Sequence, residues 1–482
     1  MKHHIERAPL FEALTKWKDK KPVSFHVPGH KNGTVFSKYW NADQLYRSLL
    51  SIDATELTGL DDLHAADGPI REAEHLTADL YGSIDSRFLV GGSTAGNLAM
   101  LMAVCTEGDL VFVQKNCHKS VLNGIRLSKA RPIFLSPVVD SESQVATGLT
   151  IESLKKAIAR YPSVKALVLT NPNYYGMTID LKPIISYAHE HGVAVLVDEA
   201  HGAHYAREPF FPRSAVHYGA DLVVQSAHKT LPAMTMGSYL HIGHECYRNA
   251  INDYLEIFQS SSPSYPIMGS LDLARHYLSS LSDEQLENLL REINKFRQQL
   301  KELSGITVIG KNGIAYDRLD PLKITVQVRG ISGYELAAQL EEEEIFVELA
   351  DPLNVLLVCP LAYLPDHFEK TRNAFEQISS RIDPTITDMT LQPVTWMEED
   401  MTFPAYSFKE LDTMNKKEID FEKAAGAIAA RAIIPYPPGI PIVMPGERIS
   451  VGKIRMLATV IKGGGHVQGF KENMIEIAIE EE

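Results

Sequence analysis

Val193-Ala194-Val195-Leu196-Val197-Asp198-Glu199-Ala200-His201-Gly202 reads as a buried strand that opens onto a carboxylate. Five apolar residues in succession, without polar alternation, belong to a strand covered on both faces, as in a parallel sheet between helices. The run ends in an acid and then in small residues that let a ligand approach the backbone. A carboxylate there binds a metal, a ribose hydroxyl or a protonated ring nitrogen, or it simply caps the strand. The next apolar run, Leu222-Val223-Val224, leads into Gln225-Ser226-Ala227-His228-Lys229-Thr230. This puts a lysine at a strand end beside a hydroxyl and an imidazole, and a partly desolvated lysine amine can form a Schiff base. Lys229 follows Asp198 by 31 residues (229 − 198), one strand–helix–strand step. Upstream, Val90-Gly91-Gly92-Ser93-Thr94-Ala95-Gly96-Asn97 turns from a strand into an apolar helix over 98–104. Free N–H groups at that helix start, with two hydroxyls, make either a phosphate cradle or an ordinary capped turn. No Gly-Lys-Ser/Thr follows, so it is not a Walker loop.

The same alternation extends along the chain. Apolar runs at 88–90, 110–113, 133–135, 166–169, 193–197, 222–224 and 239–241 read as strands, with helices at 151–160 and 181–191 between them. The order predicts an α/β fold with a mostly parallel sheet and its chemistry in loops at the C-terminal strand ends. Farther on, 283–305 reads as a long amphipathic helix, and 322–328, 334–344 and 355–358 as a second αβ set. The Glu341-Glu342-Glu343-Glu344 run is a solvated helix end. From about residue 390 the tail reads as irregular, with Pro435-Tyr436-Pro437-Pro438-Gly439-Ile440-Pro441 forcing an extended loop. The expected division is an N-terminal arm (1–45), a large domain (46–300), a small αβ domain (301–388) and a C-terminal domain (389–482).

Composition narrows the function classes. The 482 residues, 45% hydrophobic and 22% charged, supply a sizeable core without disulfide or metal staples. Lys+Arg 47 against Asp+Glu 61 gives a net charge of −14, and the longest basic cluster is Lys18-Asp19-Lys20-Lys21. That argues against a nucleic-acid partner. Cys105, Cys117, Cys246 and Cys359 form no C-x-x-C pair, and no His/Cys/Asp spacing predicts a metal site. The first residues lack a signal peptide's apolar core, and no run reaches the roughly 20 apolar residues of a membrane helix. The expectation is a soluble, cytoplasmic protein with no membrane partner.

Cradle, acid and lysine come in the order found in fold-type-I pyridoxal-phosphate enzymes. More specific are Phe25-His26-Val27-Pro28-Gly29-His30, Glu56-Leu57-Thr58-Gly59-Leu60-Asp61-Asp62-Leu63-His64, Asn116-Cys117-His118-Lys119-Ser120, Ser226-Ala227-His228-Lys229 and the 435–441 stretch. On these motifs the chain resembles the Orn/Lys/Arg (ornithine, lysine, arginine) decarboxylases over most of its length. The likeness is to the short bacterial form, without the N-terminal wing domain of the long enzymes.

The resemblance implies pyridoxal 5'-phosphate as cofactor on a fold-type-I large domain. It implies Lys229 as the Schiff-base lysine, Asp198 as partner of the pyridine nitrogen, and His118 stacked on one ring face with Ala200 against the other. Ser93, Thr94, Ser226 and His228 would hold the phosphate, and Ala95 and His201 would also line the cofactor. Ser261 or Ser262 would reach the phosphate from a neighbouring subunit of a homodimer or dimer of dimers. His201 stands where the long enzymes carry a tryptophan, so their pocket wall does not transfer. The proton donor stays open among His118, His201 and Lys229. The implied reaction is decarboxylation of arginine, lysine or ornithine to agmatine, cadaverine or putrescine. A distal cation needs carboxylate partners, and Glu56, Asp61 and Asp62 either supply them or cap the helix after Pro69. Two rivals are an aminotransferase or amino-acid lyase on the same scaffold, and a non-catalytic protein that binds the cofactor.

Overall fold

Strand and helix alternate from residue 85 to residue 198 as the apolar runs predict, but the helix expected between Asp198 and Lys229 is replaced by irregular chain with one short 3-10 turn, Ala215–Tyr218. The computed structural model describes residues 7–38, 41–310, 315–382, 400–435, 441–462 and 464–480. Its order is β1 (Asp85–Leu89), α1 (Gly92–Val104), β2 (Leu110–Gln114), α2 (Lys119–Ser128), β3 (Arg131–Leu135), α3 (Ile151–Arg160), β4 (Ala166–Thr170), α4 (Leu181–Glu190), β5 (Ala194–Asp198), β6 (Leu222–Gln225) and β7 (Ser238–Ile242). β1 starts earlier than its apolar run because Asp85, fully buried, is paired with Arg71, Arg87 and Arg248 at 2.9, 2.8 and 2.7 Å.

The chain divides into two compact units, Met1–Val104 with Leu196–Asp283 and Cys105–Val195 with Glu284–Glu482. In the first, β5 and β6 run parallel, with Val197 opposite Val223 and Asp198 opposite Val224. Their carboxyl ends therefore face the same way. β7 runs antiparallel to both β6 and β1. α1 packs so closely here that a Cβ on Gly96 would lie 2.5 Å from Val224 Cγ2 and 2.8 Å from Leu89 Cδ1. Only glycine fits at that contact. The outer edge of β1 is closed by side chains: Glu74 Oε1 accepts from Phe88 N–H at 3.0 Å, and Gln259 Oε1 from Val90 N–H at 2.8 Å.

In the second unit β2 lies between β3 and β4 and parallel to both. Val111, Phe112, Val113, Ile133, Phe134 and Leu167 are buried there. Met401–Thr402 adds antiparallel to β3. The amphipathic α5 (Asp283–Lys301) buries Leu286, Leu289, Ile293, Phe296 and Leu300, the 3–4 spacing of one helix face. It leads to an antiparallel sheet of Ile306–Val308, β8 (Lys323–Val328), β9 (Val355–Val358) and Leu349–Ala350. α6 (Gly333–Glu342) belongs to the same set, and residues 341–344 at its end are exposed as expected.

The tail departs from the expectation of irregular structure. There β10 (Lys416–Asp420) and Ile428–Ala429 both pair with β11 (Met474–Ala478), and α7 (Val451–Lys462) lies between them in the chain. Phe421, Ile433, Val443, Ile449, Leu457, Val460, Ile475 and Ile477 form one buried cluster. Strands of two residues, and a strand opening on the exposed Lys416-Lys417-Glu418, give almost no apolar signal. Residues 436–440 of the proline-rich stretch lie outside the described residues. Among the described residues no helix is long and apolar enough to cross a membrane.

Candidate active site

The first unit brings together most of the residues singled out by sequence. Gly92, at φ +74°, turns the chain from β1 into α1. Ser93, Thr94 and Ala95 follow in the first helical turn, whose N–H groups have no partner within the helix. Ser226, at the end of β6, donates to Ser93 Oγ at 2.9 Å and so joins the two strand ends. Ser226 precedes the helical turn Ala227–Thr230, which carries His228 and Lys229. His228 Nδ1 lies 2.9 Å from the Gly237 carbonyl, which can only accept, so the ring carries a proton on Nδ1.

Asp198 ends β5 and is 3% exposed. Its Oδ2 accepts from Asn97 Nδ2 at 2.8 Å and its Oδ1 from Ala200 N–H at 3.2 Å. Donors on both oxygens fix the carboxylate plane. Lys229 Nζ lies 3.1 Å from Nε2 of the buried His201. Glu199 is turned away into a separate network. It accepts from Ser214 Oγ (2.6 Å), Ala215 N–H (2.8 Å) and Gln225 Nε2 (2.7 Å), and burial pushes its carboxyl up to about 7. Hydroxyls and a helix start suit a phosphate, a buried carboxylate suits a protonated ring nitrogen, and an amine suits an aldehyde. The donor set therefore fits pyridoxal 5'-phosphate.

The acidic segment is resolved into different roles. Asp61 accepts five backbone N–H groups: Asp62 and Asp67 on Oδ1, Gly68, Ile70 and Arg71 on Oδ2, at 2.8 to 3.2 Å. It caps the helix Pro69–Tyr81, so both of its oxygens are committed. Asp62 Oδ1 accepts from His64 N–H, and Glu56, exposed, takes the Thr55 hydroxyl. Burial and the carboxylates of Glu56, Asp62 and Asp61 push the Tyr265 phenol up, and its hydroxyl donates to the Asp61 carbonyl. Ser261 and Ser262 are exposed on the neighbouring loop, and Ser260 O is held by His64 Nε2 at 2.9 Å.

His118 belongs to the second unit, where it caps α2. Its Nδ1 accepts from Ser120 N–H at 3.2 Å and lies 2.8 Å from Ser120 Oγ. A backbone N–H can only donate, so the neutral ring carries its proton on Nε2. Sequence reasoning missed Asn97 as the partner of Asp198 and Glu199 as a buried acid. The one signal for Asn97 was a polar residue inside an otherwise apolar helix; for Glu199 it was a second acid directly after Asp198.

This is the strand-end constellation of an α/β enzyme of fold type I. A family model for the Orn/Lys/Arg decarboxylase major domain matches residues 8–316, and one for the C-terminal domain of the same family matches residues 387–482. The chain belongs to the Orn/Lys/Arg decarboxylase family and is a carboxy-lyase. It is 47% identical to the uncharacterized protein YaaO of Bacillus subtilis over 98% of this chain and 99% of that one. With the arginine decarboxylase of Bacillus subtilis it shares 33% identity over 97% of this chain and 96% of the relative. The fold matches that of the Escherichia coli constitutive lysine decarboxylase with a TM-score of 0.80 at 20% identity, covering 98% of this chain and 82% of that one.

Proposed function

We propose that this chain decarboxylates a basic amino acid with pyridoxal 5'-phosphate, arginine ahead of lysine or ornithine, releasing CO2 and agmatine, cadaverine or putrescine. The observation that carries the reading is Asp198, held by Asn97 and Ala200 at the end of β5, with Lys229 beside His201 after the adjacent β6. The cofactor, when bound, supplies an electron sink for the pair left behind by CO2. Asp198 would hold a proton at the pyridine nitrogen, its carboxylate kept in place by Asn97 Nδ2 and the Ala200 N–H. Lys229 Nζ would be the amine that holds the cofactor's aldehyde, and His201 Nε2 is within reach to take or return a proton at Nζ. Ser93, Thr94, Ala95, Ser226 and His228 would hold the phosphate, and His118 would orient the ring. Relatives named arginine decarboxylase share 31 to 33% identity with this chain, and those named lysine decarboxylase 24 to 25%, which supports arginine first. With Asp61 committed to its helix, Glu56 and Asp62 are the carboxylates assigned to the substrate's distal cation.

The finer points follow the same reading. The four-part division at 45, 300 and 388 is supported at its last boundary by the family models. A homodimer or dimer of dimers is supported by the exposed Val23, Phe25 and Val27, at 83, 94 and 66%. Ser261 or Ser262 would reach the phosphate of the partner subunit. Four cysteines in no disulfide, three of them buried, suit the cytoplasm. The test is to load the protein with pyridoxal 5'-phosphate and offer arginine, lysine, ornithine and norleucine separately. Agmatine and CO2 from arginine with the highest kcat/KM are expected. Keto-acid products, or equal kcat/KM for norleucine and lysine, would overturn the reading.

A further inference from the structure

His118 ends the short segment that leads out of β2 into α2, and the lysines on both sides of it are held by the C-terminal part of the chain. Lys115, 3% exposed, places Nζ 3.1 Å from Glu447 Oε1 and 3.2 Å from Thr402 Oγ1. Lys119 Nζ lies 3.4 Å from Gln468 Oε1. Glu447 has a fully buried side chain and also takes Lys453 Nζ at 2.5 Å and Met444 N–H at 3.0 Å. Its backbone is tied into the same region, with Glu447 O accepting from Ala429 N–H at 2.9 Å. Burial raises the Glu447 carboxyl, but Lys115 and Lys453 outweigh it and keep the group below its ordinary range.

On its other side the segment is equally fixed. Gln114 Nε2 donates to Asn116 Oδ1 and to the Thr147 and Thr170 carbonyls, and Asn116 Nδ2 donates to the Ala146 and Thr147 carbonyls. Because Nδ1 of His118 is committed to Ser120, the ring moves with the backbone of this segment. Burying three charges is a poor source of stability, since apolar residues of similar volume serve as well or better. What such a cluster supplies is position.

We propose that Glu447 is a positioning residue for His118, and that the region 400–480 sets the orientation of that imidazole by holding Lys115 and Lys119. The proposal rests on the ring-orienting role assigned to His118. A double-mutant cycle tests it, using the cofactor-loaded protein, kcat and KM for the preferred basic amino acid, and the visible circular-dichroism band of bound pyridoxal 5'-phosphate. Glu447→Gln keeps the shape and removes the charge. It is expected to lower kcat about tenfold with KM changed less than about twofold, and to alter the dichroism band. In a His118→Ala background the same substitution should lower kcat by less than about twofold. Glu447→Asp should restore part of the band and of kcat. Equal losses in both backgrounds, or an unaltered band and kcat in Glu447→Gln, would overturn the proposal alone. An unaltered band and kcat in His118→Ala would overturn the role of His118, and the proposal with it. Should Glu447→Gln fail to fold, Lys119→Met with Gln468→Leu, at a less buried contact, enters the same cycle with the same expected and overturning results.

Discussion

At the scale of single residues, Asp198 and Lys229 carry different parts of the work and fail differently. Asp198→Asn keeps volume and planarity but cannot hold the ring nitrogen's proton as an ion pair. The cofactor should stay bound through the phosphate contacts while kcat drops by about 10² or more, the scale of losing a preorganised electrostatic partner. Activity within a few-fold of wild type, at equal cofactor occupancy, would make Asp198 a strand cap only. Lys229→Ala removes the amine outright. The visible absorption band and nearly all turnover should disappear together, and a wild-type spectrum in this variant would contradict the assignment of Lys229. Both residues were legible in sequence because Asp198 ends one buried apolar strand and Lys229 lies on the turn just after another. Asn97 was not, although it lies in the quoted glycine-rich segment. Its contact with Asp198 spans 101 residues and exists only because Gly96 lets α1 approach β1 and β6 so closely.

Elements explain why the acidic segment was ambiguous. An Asp61-Asp62 pair ahead of a helix beginning with Pro69 satisfies the pattern of a cap and that of a cation site equally well. Asp61 adopts φ +75°, and this unusual backbone aims its carboxylate back into the turn toward the N–H groups of Gly68, Ile70 and Arg71. Asp61→Ala should therefore cost about 2 kcal/mol of stability by leaving several donors unsatisfied. Its KM for the basic amino acid should stay within about twofold, as expected when no binding contact is lost. Thermal unfolding together with KM separates the cases, and a large KM increase with an unchanged Tm would return Asp61 to the substrate site. The strands were legible to within a few residues because their burial on both faces leaves an unbroken apolar run. The C-terminal sheet was not. Its strands are short or polar on their exposed side, and its core is assembled from Phe421 to Ile477 with no local period.

Across the whole molecule, buried ionisable groups pull stability in opposite directions with pH. Burial raises Glu199 from 4.5 to about 7, and it lowers His241 from 6.5 to about 3. Asp85 is buried as well, yet Arg71 and Arg87 outweigh that and draw it from 3.8 down to about 2. A raised carboxyl keeps its proton in the fold after the unfolded chain has released it. The stability due to Glu199 is thus full below pH 4.5, declines as pH rises through about 7, and is constant beyond. His241 acts oppositely, losing stability as pH falls from 6.5 toward 3, and Asp85 does so from 3.8 toward 2. The total profile sums these opposing slopes, but the difference between wild type and Glu199→Gln isolates one proton, because the other groups are common to both. That difference should shift in favour of the variant by on the order of 3 kcal/mol between pH 4.5 and 7, as the charge it lacks becomes costly to wild type. Thermal melts of both proteins at intervals across this range measure it. A difference in Tm that is flat with pH, or that moves in favour of wild type as pH rises, would mean that Glu199 is ionised throughout and that its three donors compensate fully for its burial.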